Sequence, residues 1–110
     1  MSDKKEIRRK FRDVCLKRDK LSCVKCGKKA KSMEEALEIF DIHHITSRKN
    51  MPHGGYCLEN GITLCKDDCH LKAEEFYSTG IAHPGFSIEE LYNAIGSSYE
   101  LAVAASEKIK

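Results

Sequence analysis

The segment NGITLCKDDCH, from Asn60 to His70, decides the fold. Its apolar centre, Ile62 to Leu64, predicts a short strand, and the residues from about 69 to 78 predict a helix. Cys65 and Cys69 lie where the strand gives way to the helix. A strand, a cysteine pair and a helix in so short a segment indicate a small α+β domain.

Length and composition leave room for only a thin apolar core. The chain has 110 residues, enough for one domain with short extensions. A domain of this size buries roughly two-thirds of its unfolded surface. Only 7% of the residues are aromatic and none is Trp. We therefore expect the six cysteines to stabilise the domain, either as disulfides or as metal ligands.

The amino-terminal residues do not have the pattern of a secretory signal peptide. The sequence MSDKKEIRRK is charged and lacks the apolar core of a signal peptide. No run approaches the roughly 18 apolar residues of a membrane span. We therefore expect a cytoplasmic protein with no membrane partner, in a compartment that keeps thiols reduced. There, a cysteine pattern indicates metal binding before it indicates disulfides.

Two cysteine pairs have the spacing of a tetrahedral metal site. Cys23 and Cys26 form a CxxC motif, and 38 residues separate them from the pair formed by Cys65 and Cys69. If folding brings the pairs together, they form the four-thiolate site in which proteins hold structural Zn²⁺. Such a site contributes folding energy directly and suits a small core.

The second cysteine pair leaves alternatives open. Its CxxxC spacing is one residue longer than in a standard knuckle, so Cys57 or His70 can replace Cys69 as the fourth ligand. A redox pair and plain buried thiols are the other interpretations, but a redox pair needs a βαβ context that the sequence lacks. We expect structural zinc, with Cys57 as a bystander and Cys15 as a buried thiol.

Positive charge is concentrated in the first third of the chain. Residues 1–31 hold 13 Lys and Arg against 4 Asp and Glu, whereas residues 32–110 hold 6 against 13. The apolar spacing of Ile7 and Phe11 predicts an amphipathic helix over residues 3–18, with Asp3 and Glu6 as its capping box. A basic helix suits a polyanionic partner. A solvated helix face is the alternative.

A pair of adjacent histidines lies near the end of another predicted strand, which comes earlier in the chain. The segment ALEIFDIHHI, residues 36–45, predicts this strand and contains His43 and His44. Neighbouring side chains on a strand point to opposite faces, so the two imidazoles cannot do the same thing. The pair favours one metal ligand and one base that acts on a bound substrate.

Three further helix starts are marked by capping residues. Ser32, Ser87 and Ser97 are each followed three residues later by Glu, the spacing of a capping box. The last two predict helices in the carboxyl-terminal part. We expect residues 81–110 to form a helical extension that packs on the domain formed by residues 1–80.

Taken in order, these motifs resemble those of the HNH endonucleases, in particular the small zinc-stapled HNH proteins of phages and bacteria. The resemblance covers roughly residues 11–75. The motifs that carry it are Cys23-x-x-Cys26, Ile42-His43-His44-Ile45, Asn60-Gly-Ile-Thr-Leu-Cys65 and Cys69-His70.

The resemblance implies an α+β fold with a ββα-metal core, in which two strands and a helix grip one divalent cation. A four-Cys zinc knuckle staples this core within residues 20–78, and helices flank it on both sides. By the same resemblance, His44 is the general base, and His43 and His70 bind the catalytic metal. Asn60 either orients the loop or contacts the metal, and Glu74, one helical turn after His70, is a further candidate ligand.

The implied activity is metal-dependent hydrolysis of DNA phosphodiester bonds, as nicks or double-strand cuts. A neutral imidazole can take the proton of water, and one Mg²⁺, Mn²⁺, Ni²⁺ or Zn²⁺ can stabilise the phosphate and the leaving group. Double-stranded DNA is the implied partner, in a bacterial or phage-infected cytoplasm. A protein partner or self-association would supply specificity. The expected phosphate contacts are Arg8, Arg9, Arg12, Arg48 and Lys49.

Two other functions remain open. A zinc-dependent DNA-binding module without catalysis accounts for the cysteines and the charge asymmetry, but it leaves the histidines and Asn60 unexplained. A structural or protein-interaction zinc domain accounts for the cysteines alone. Within the nuclease interpretation RNA also remains a possible substrate, because no residue indicates recognition of a 2′-hydroxyl.

Overall fold

A two-stranded antiparallel sheet lies at the centre of the fold. In the computed structural model, which describes residues 4–109, strand β1 (Phe40–His44) pairs with β2 (Gly61–Cys65). The register sets Phe40 opposite Cys65 and His44 opposite Gly61. The predicted β2 is confirmed, with one more residue at each end.

Five α-helices of residues 4–109 surround this sheet. Three short 3₁₀ turns fill the connection between the strands, at Arg48–Asn50, Pro52–Gly55 and Leu58–Asn60. The helices are α1 (Lys4–Arg18), α2 (Met33–Ile39), α3 (Cys69–Thr79), α4 (Ile88–Ala94) and α5 (Tyr99–Ser106). The fold is thus a mixture of helices with one small sheet. The predicted cap Asp3 and the start of the predicted helix 3–18 lie outside the described residues.

Two predicted boundaries are wrong. The strand expected over residues 36–45 begins only at Phe40, because Ser32 caps α2 by accepting a hydrogen bond from the Glu35 amide at 3.1 Å. Helix formers then carry α2 through Ile39. The last helix is capped by Ser98 and not by Ser97. The capping box at Ser87 is confirmed.

The sheet is covered on its two faces by different helices. Helix α1 packs on one face, and α3, which follows β2 directly, packs on the other. Leu16, Ile62 and Leu64 are among the largest fully buried side chains of the core. No helix among the described residues has the length and apolar character to cross a membrane.

Hydrogen bonds of Arg18 and Asp19 connect the end of α1 to β2 and to the turn before it. Arg18 Nε donates to Asp19 Oδ1 at 2.7 Å, and the guanidinium also donates to the Leu58 and Gly61 carbonyls at 2.7 and 2.6 Å. Asp19 Oδ2 accepts the Thr63 amide at 3.1 Å. The basic helix is therefore held rigidly against the core.

Gly61 allows α1 to approach the sheet closely. A Cβ atom at this position would lie 2.6 Å from Cys15 Sγ and 2.7 Å from the Phe11 ring. Cys15 is fully buried, as predicted for a thiol on the apolar stripe. Burial raises the pKa of this thiol to about 12, which makes it inert.

Candidate metal centres and cleft

Two groups of side chains among the described residues are close enough to hold a metal ion. Within each group the candidate ligand atoms lie within 4.8 Å of one another. The four-cysteine cluster consists of Cys23, Cys26, Cys65 and Cys69. The histidine cluster consists of His43, His70 and Glu74.

The first cysteine pair lies on a tight knuckle. The Cys23 amide donates to the Lys28 carbonyl at 2.8 Å, and the Gly27 amide donates to the Cys23 carbonyl at 2.9 Å. Gly27 has φ +81°, a left-handed conformation that glycine adopts without steric cost. The turn brings Cys26 back over Cys23. The second pair, Cys65 at the end of β2 and Cys69 at the start of α3, completes the cluster.

The donor set fits a tetrahedral metal ion. Cys26 Sγ and Cys65 Sγ lie 3.9 Å apart. Two sulfurs of a tetrahedral zinc site, each 2.3 Å from the ion, would be about 3.8 Å apart. Burial raises the pKa of the Cys69 thiol, and the neighbouring thiols of Cys23 and Cys65 raise it further. A cation at the centre would reverse this effect by stabilising the thiolates.

Neither alternative fourth ligand joins this cluster. The Cys57 thiol lies 3.3 Å from Ser106 Oγ, against α5. His70 belongs to the other cluster.

The histidine cluster forms where β1 faces α3. His43 is 2% exposed, and its Nδ1 has no hydrogen-bond partner in good geometry although Glu74 Oε2 is 2.9 Å away. His70 Nε2 lies 3.5 Å from the same carboxylate oxygen. Burial above all, and then His70 and His44, lower the pKa of His43 to about 3, so its imidazole is neutral. An orphaned nitrogen beside a second imidazole and a carboxylate fits a divalent cation.

Asp41 fixes the orientation of His70. The Asp41 Oδ2 atom accepts a hydrogen bond from His70 Nδ1 at 2.9 Å, which leaves Nε2 to face Glu74. Asp41 and His43 are two residues apart on β1 and so share the face that meets α3. The sequence analysis missed Asp41, although this alternation along the strand could have indicated it. When a metal-ligating imidazole donates its other N–H to a carboxylate, the carboxylate raises the basicity of the imidazole and fixes its tautomer.

Replacing Asp41 with alanine is expected to weaken binding of Mn²⁺ at the histidine cluster by about 10- to 100-fold, since His70 loses its orienting partner. Isothermal titration calorimetry of the zinc-loaded protein measures this. The control is Asp67→Ala, because Asp67 is exposed on the turn between β2 and α3. Equal Mn²⁺ affinities for the two variants would refute the role of Asp41.

His44 points to the opposite face of the sheet. Its ring stacks on Phe11 of α1 at a centroid distance of 4.8 Å and meets the Tyr56 ring edge-on at 4.8 Å. Its Nε2 is buried and has no hydrogen-bond partner. Burial, and secondarily Arg48, lower the pKa of His44 to about 4. The imidazole is therefore neutral near pH 7 and has a lone pair to accept a proton.

One cleft contains both histidines because the outer edge of β1 is open. In residues 4–109 this strand pairs only with β2, so side chains from both of its faces reach the free edge between α1 and α3. The cleft has a volume of about 750 Å³. Besides the histidine cluster and His44, its lining includes Arg8, Arg12, Arg48, Lys49, Asp41, Tyr56 and Tyr77.

Four of the five predicted phosphate contacts line this cleft, and Arg9 does not. Its guanidinium lies on the outer side of α1, where it pairs with Glu6 and with Asp13 at 3.4 Å. The cleft therefore combines basic side chains with the histidine cluster. It is the one place in the described structure where cations, candidate metal ligands and a neutral imidazole meet.

Asn60 closes the loop that follows β1. It is fully buried, and its Nδ2 donates to the carbonyls of Thr46 and Gly55 at 3.1 and 3.2 Å. Its Oδ1 accepts the Thr46 amide at 2.9 Å and the Tyr92 hydroxyl at 2.7 Å. All four hydrogen-bonding positions of the amide are thus used within the protein. Asn60 fixes the backbone two residues after His44 and does not belong to either cluster.

The carboxyl-terminal helices contact this loop. Tyr92 of α4 reaches Asn60 and also accepts from Thr46 Oγ1 at 2.7 Å. Ser97 Oγ donates to the Glu59 carbonyl at 2.9 Å. The sequence analysis missed Tyr92, and no local signal could have linked it to a residue 32 positions earlier.

Replacing Tyr92 with phenylalanine is expected to destabilise the protein by about 1–3 kcal/mol, because the buried Asn60 and Thr46 side chains lose a partner. Urea unfolding followed by circular dichroism measures the change. The Tyr99→Phe variant, altered at an exposed tyrosine, is the control. Unchanged stability in Tyr92→Phe would mean that the network does not hold the loop.

Strands β1 and β2 and the following helix α3 form a ββα domain. This domain brings His43, His70 and Glu74 together as a candidate metal centre. The family model described as HNH endonuclease matches residues 23–76, so the chain contains an HNH endonuclease domain. Comparisons with curated proteins and with solved structures gave no match.

Proposed function

We propose that this protein is a metal-dependent HNH endonuclease that hydrolyses phosphodiester bonds of double-stranded DNA, as nicks or double-strand cuts. The observation that carries the proposal is the meeting of the histidine cluster, a neutral His44 and four basic side chains in one cleft. The HNH endonuclease domain independently supports a nuclease that binds DNA.

In this proposal the four-cysteine cluster holds a structural Zn²⁺. The ion would join the knuckle at Cys23 and Cys26 to the β2–α3 junction at Cys65 and Cys69. This junction carries His70 one residue after Cys69. The zinc site therefore stabilises the segment that presents the catalytic ligands. We further propose that residues 1–80 form the nuclease domain and that residues 81–110 extend it.

His43, His70 and Glu74 would hold the catalytic divalent cation. When bound, this cation supplies positive charge that stabilises the attacked phosphate and the departing oxygen. The protein's part is to hold three donors with one orphaned nitrogen among them, and to set the His70 tautomer through Asp41. The two imidazoles favour a transition metal over Mg²⁺, which prefers oxygen ligands.

His44 acts as the general base in this mechanism. It takes a proton from the water that attacks phosphorus, which its neutral state at pH 7 permits. Phe11 and Tyr56 hold its ring, and Asn60 holds the backbone that follows. Asn60 is thus a positioning residue in our proposal. Arg12 and Lys49 add positive charge for the DNA backbone.

Phosphate contacts orient a protein on DNA without reading its sequence. We therefore propose that a protein partner or a second copy of the chain supplies sequence specificity, in a bacterial or phage-infected cytoplasm. The alternative function, a zinc-dependent DNA-binding module without catalysis, uses the same basic cleft. That alternative does not explain why the buried His43 Nδ1 and His44 Nε2 atoms lack hydrogen-bond partners. We therefore favour the nuclease.

A plasmid assay tests the proposal. Supercoiled plasmid is incubated with purified protein and Mg²⁺, Mn²⁺, Ni²⁺ or Zn²⁺, and with no added divalent ion. We expect nicked or linear products only when a divalent ion is added. A folded protein that binds plasmid but cleaves it with none of these ions would support the DNA-binding module instead.

A further inference from the structure

A second group of polar side chains lies beside His44, away from the histidine cluster. Tyr56 follows the 3₁₀ turn Pro52–Gly55, and its hydroxyl oxygen accepts a hydrogen bond from Arg48 Nη1 at 3.0 Å. Arg8 of α1 lines the same cleft beside Tyr56, and its guanidinium helps to lower the pKa of this hydroxyl. Two guanidinium groups from separate parts of the chain thus converge on one phenol oxygen. We name Arg8, Tyr56 and Arg48 the arginine–tyrosine cluster.

The charges of this cluster are not neutralised within the described structure. No carboxylate of residues 4–109 forms an ion pair with Arg8 or Arg48. The other arginines differ, because Arg9 and Arg12 each pair with Asp13 and Arg18 pairs with Asp19. Two unpaired cations held close together repel each other unless an anion joins them.

The three side chains of the cluster have more donor hydrogens than the Tyr56 oxygen can accept. The Tyr56 oxygen receives the guanidinium hydrogen bonds, so its own proton is free to be donated outward. Although burial raises the pKa of Tyr56, hydrogen bonds from Arg48 and Arg8 outweigh it, and the pKa is lowered. Guanidinium N–H groups and an acidified hydroxyl are the donors that phosphate oxygens accept best.

The position of the cluster relative to His44 decides which phosphate it can take. The Tyr56 ring lies edge-on to the His44 ring at 4.8 Å, whereas the histidine cluster forms on the opposite face of β1. Both groups line the same cleft. An anion on Arg8 and Arg48 would therefore sit on the far side of the base from the cleaved phosphate.

We propose that the arginine–tyrosine cluster binds a backbone phosphate of DNA next to the one that is cleaved. This proposal rests on the proposed function, because it takes DNA as the substrate. It makes Tyr56 a phosphate ligand as well as a support for His44. It also means that the enzyme acts better on a substrate with a flanking phosphate than on an isolated phosphodiester.

The first test measures DNA binding without added divalent ions, so that it does not depend on cleavage. Fluorescence anisotropy with a labelled duplex is recorded at several salt concentrations for the wild type, Tyr56→Phe, Arg48→Ala and Lys17→Ala. Lys17 is the matched control, because it is an exposed cation of α1 outside the cleft.

In this test we expect Arg48→Ala to reduce the slope of log affinity against log salt by about 0.9, the value for one phosphate contact. Tyr56→Phe keeps the ring and both charges, so we expect a loss of about tenfold in affinity with little change in slope. Lys17→Ala should change both quantities less. If Arg48→Ala and Tyr56→Phe bind DNA like Lys17→Ala, the proposal is wrong.

The second test compares two substrates. Arg48→Ala is expected to lower kcat/KM for duplex DNA at least tenfold more than for bis(p-nitrophenyl) phosphate, which has no flanking phosphate. Equal losses on both substrates would overturn the proposal, because Arg48 would then act on the reacting phosphate. If the wild type cleaves neither substrate, the proposed function fails, and the binding measurement alone decides on the phosphate site. Circular dichroism of Tyr56→Phe checks that its fold is intact.

Discussion

Replacing His44 with alanine is expected to lower the rate of plasmid cleavage by about 10²- to 10⁴-fold, the usual contribution of a general base. The fold and the binding of divalent ions should survive, because His44 lies on the face of β1 opposite the histidine cluster. His44→Gln fills more of the space between Phe11 and Tyr56 but cannot take up the proton. We expect it to be as inactive as the alanine variant.

Single-turnover cleavage with saturating Mn²⁺ is the measurement for these variants. His83→Ala is the control, because His83 lies outside the cleft and contacts Glu75 at 2.9 Å. Calorimetric titration with Mn²⁺ on the same preparations separates loss of the base from loss of the metal. Cleavage by His44→Ala at the rate of the wild type would exclude His44 as the base.

Replacing Cys65 with serine is expected to unfold the domain at ordinary temperatures. Structural zinc in small domains contributes an apparent binding free energy of about 10–16 kcal/mol at neutral pH, which matches or exceeds the whole stability of a typical domain. Cys65 Sγ also accepts the Cys69 amide at 3.3 Å at the start of α3. Its loss therefore affects both β2 and the helix that carries His70.

Thermal melting by circular dichroism and zinc content by atomic emission test this expectation. Cys57→Ser makes the same chemical change outside the four-cysteine cluster and should retain one zinc ion per chain and melt cooperatively. The account of the cluster would fail if the purified wild type contained no metal and its melting temperature did not respond to a chelator.

The sequence was most informative where residue type alone restricts the chemistry. The spacing of the cysteines predicted the four-cysteine cluster, whereas His43, His70 and Glu74 were predicted from the resemblance to HNH endonucleases. The structure brings Cys69 to the other three cysteines despite the longer CxxxC spacing. The turn between β2 and α3 absorbs the extra residue.

What the sequence could not predict depends on packing between distant segments. Tyr92 meets Asn60 across 32 positions, and Arg8 of α1 lies beside Tyr56, which comes much later in the chain. A hydrogen bond of this kind leaves no periodic signal along the chain. Asn60 was open to two roles, and only its four internal hydrogen bonds favour the positioning role.

The predicted boundary between α2 and β1 is wrong for a different reason. The residues from Ala36 to Ile39 suit a helix or a strand, and the hydrophobic pattern of only four residues cannot separate the two. The cap at Ser32 and the good helix formers after it decided the outcome. The β-branched and aromatic residues at the far end of the segment favour a strand, so the sequence alone predicts a single strand over residues 36–45.

The central claim is that cleavage depends on one divalent ion held by His43, His70 and Glu74. The most direct test titrates Mn²⁺ into zinc-loaded protein and measures ion binding and plasmid cleavage on the same samples. We expect one Mn²⁺ per chain, with the cleavage rate rising in proportion to occupancy, and both quantities lost together in His70→Ala. Cleavage that persists without a divalent ion, or no cleavage at full occupancy, would contradict the account.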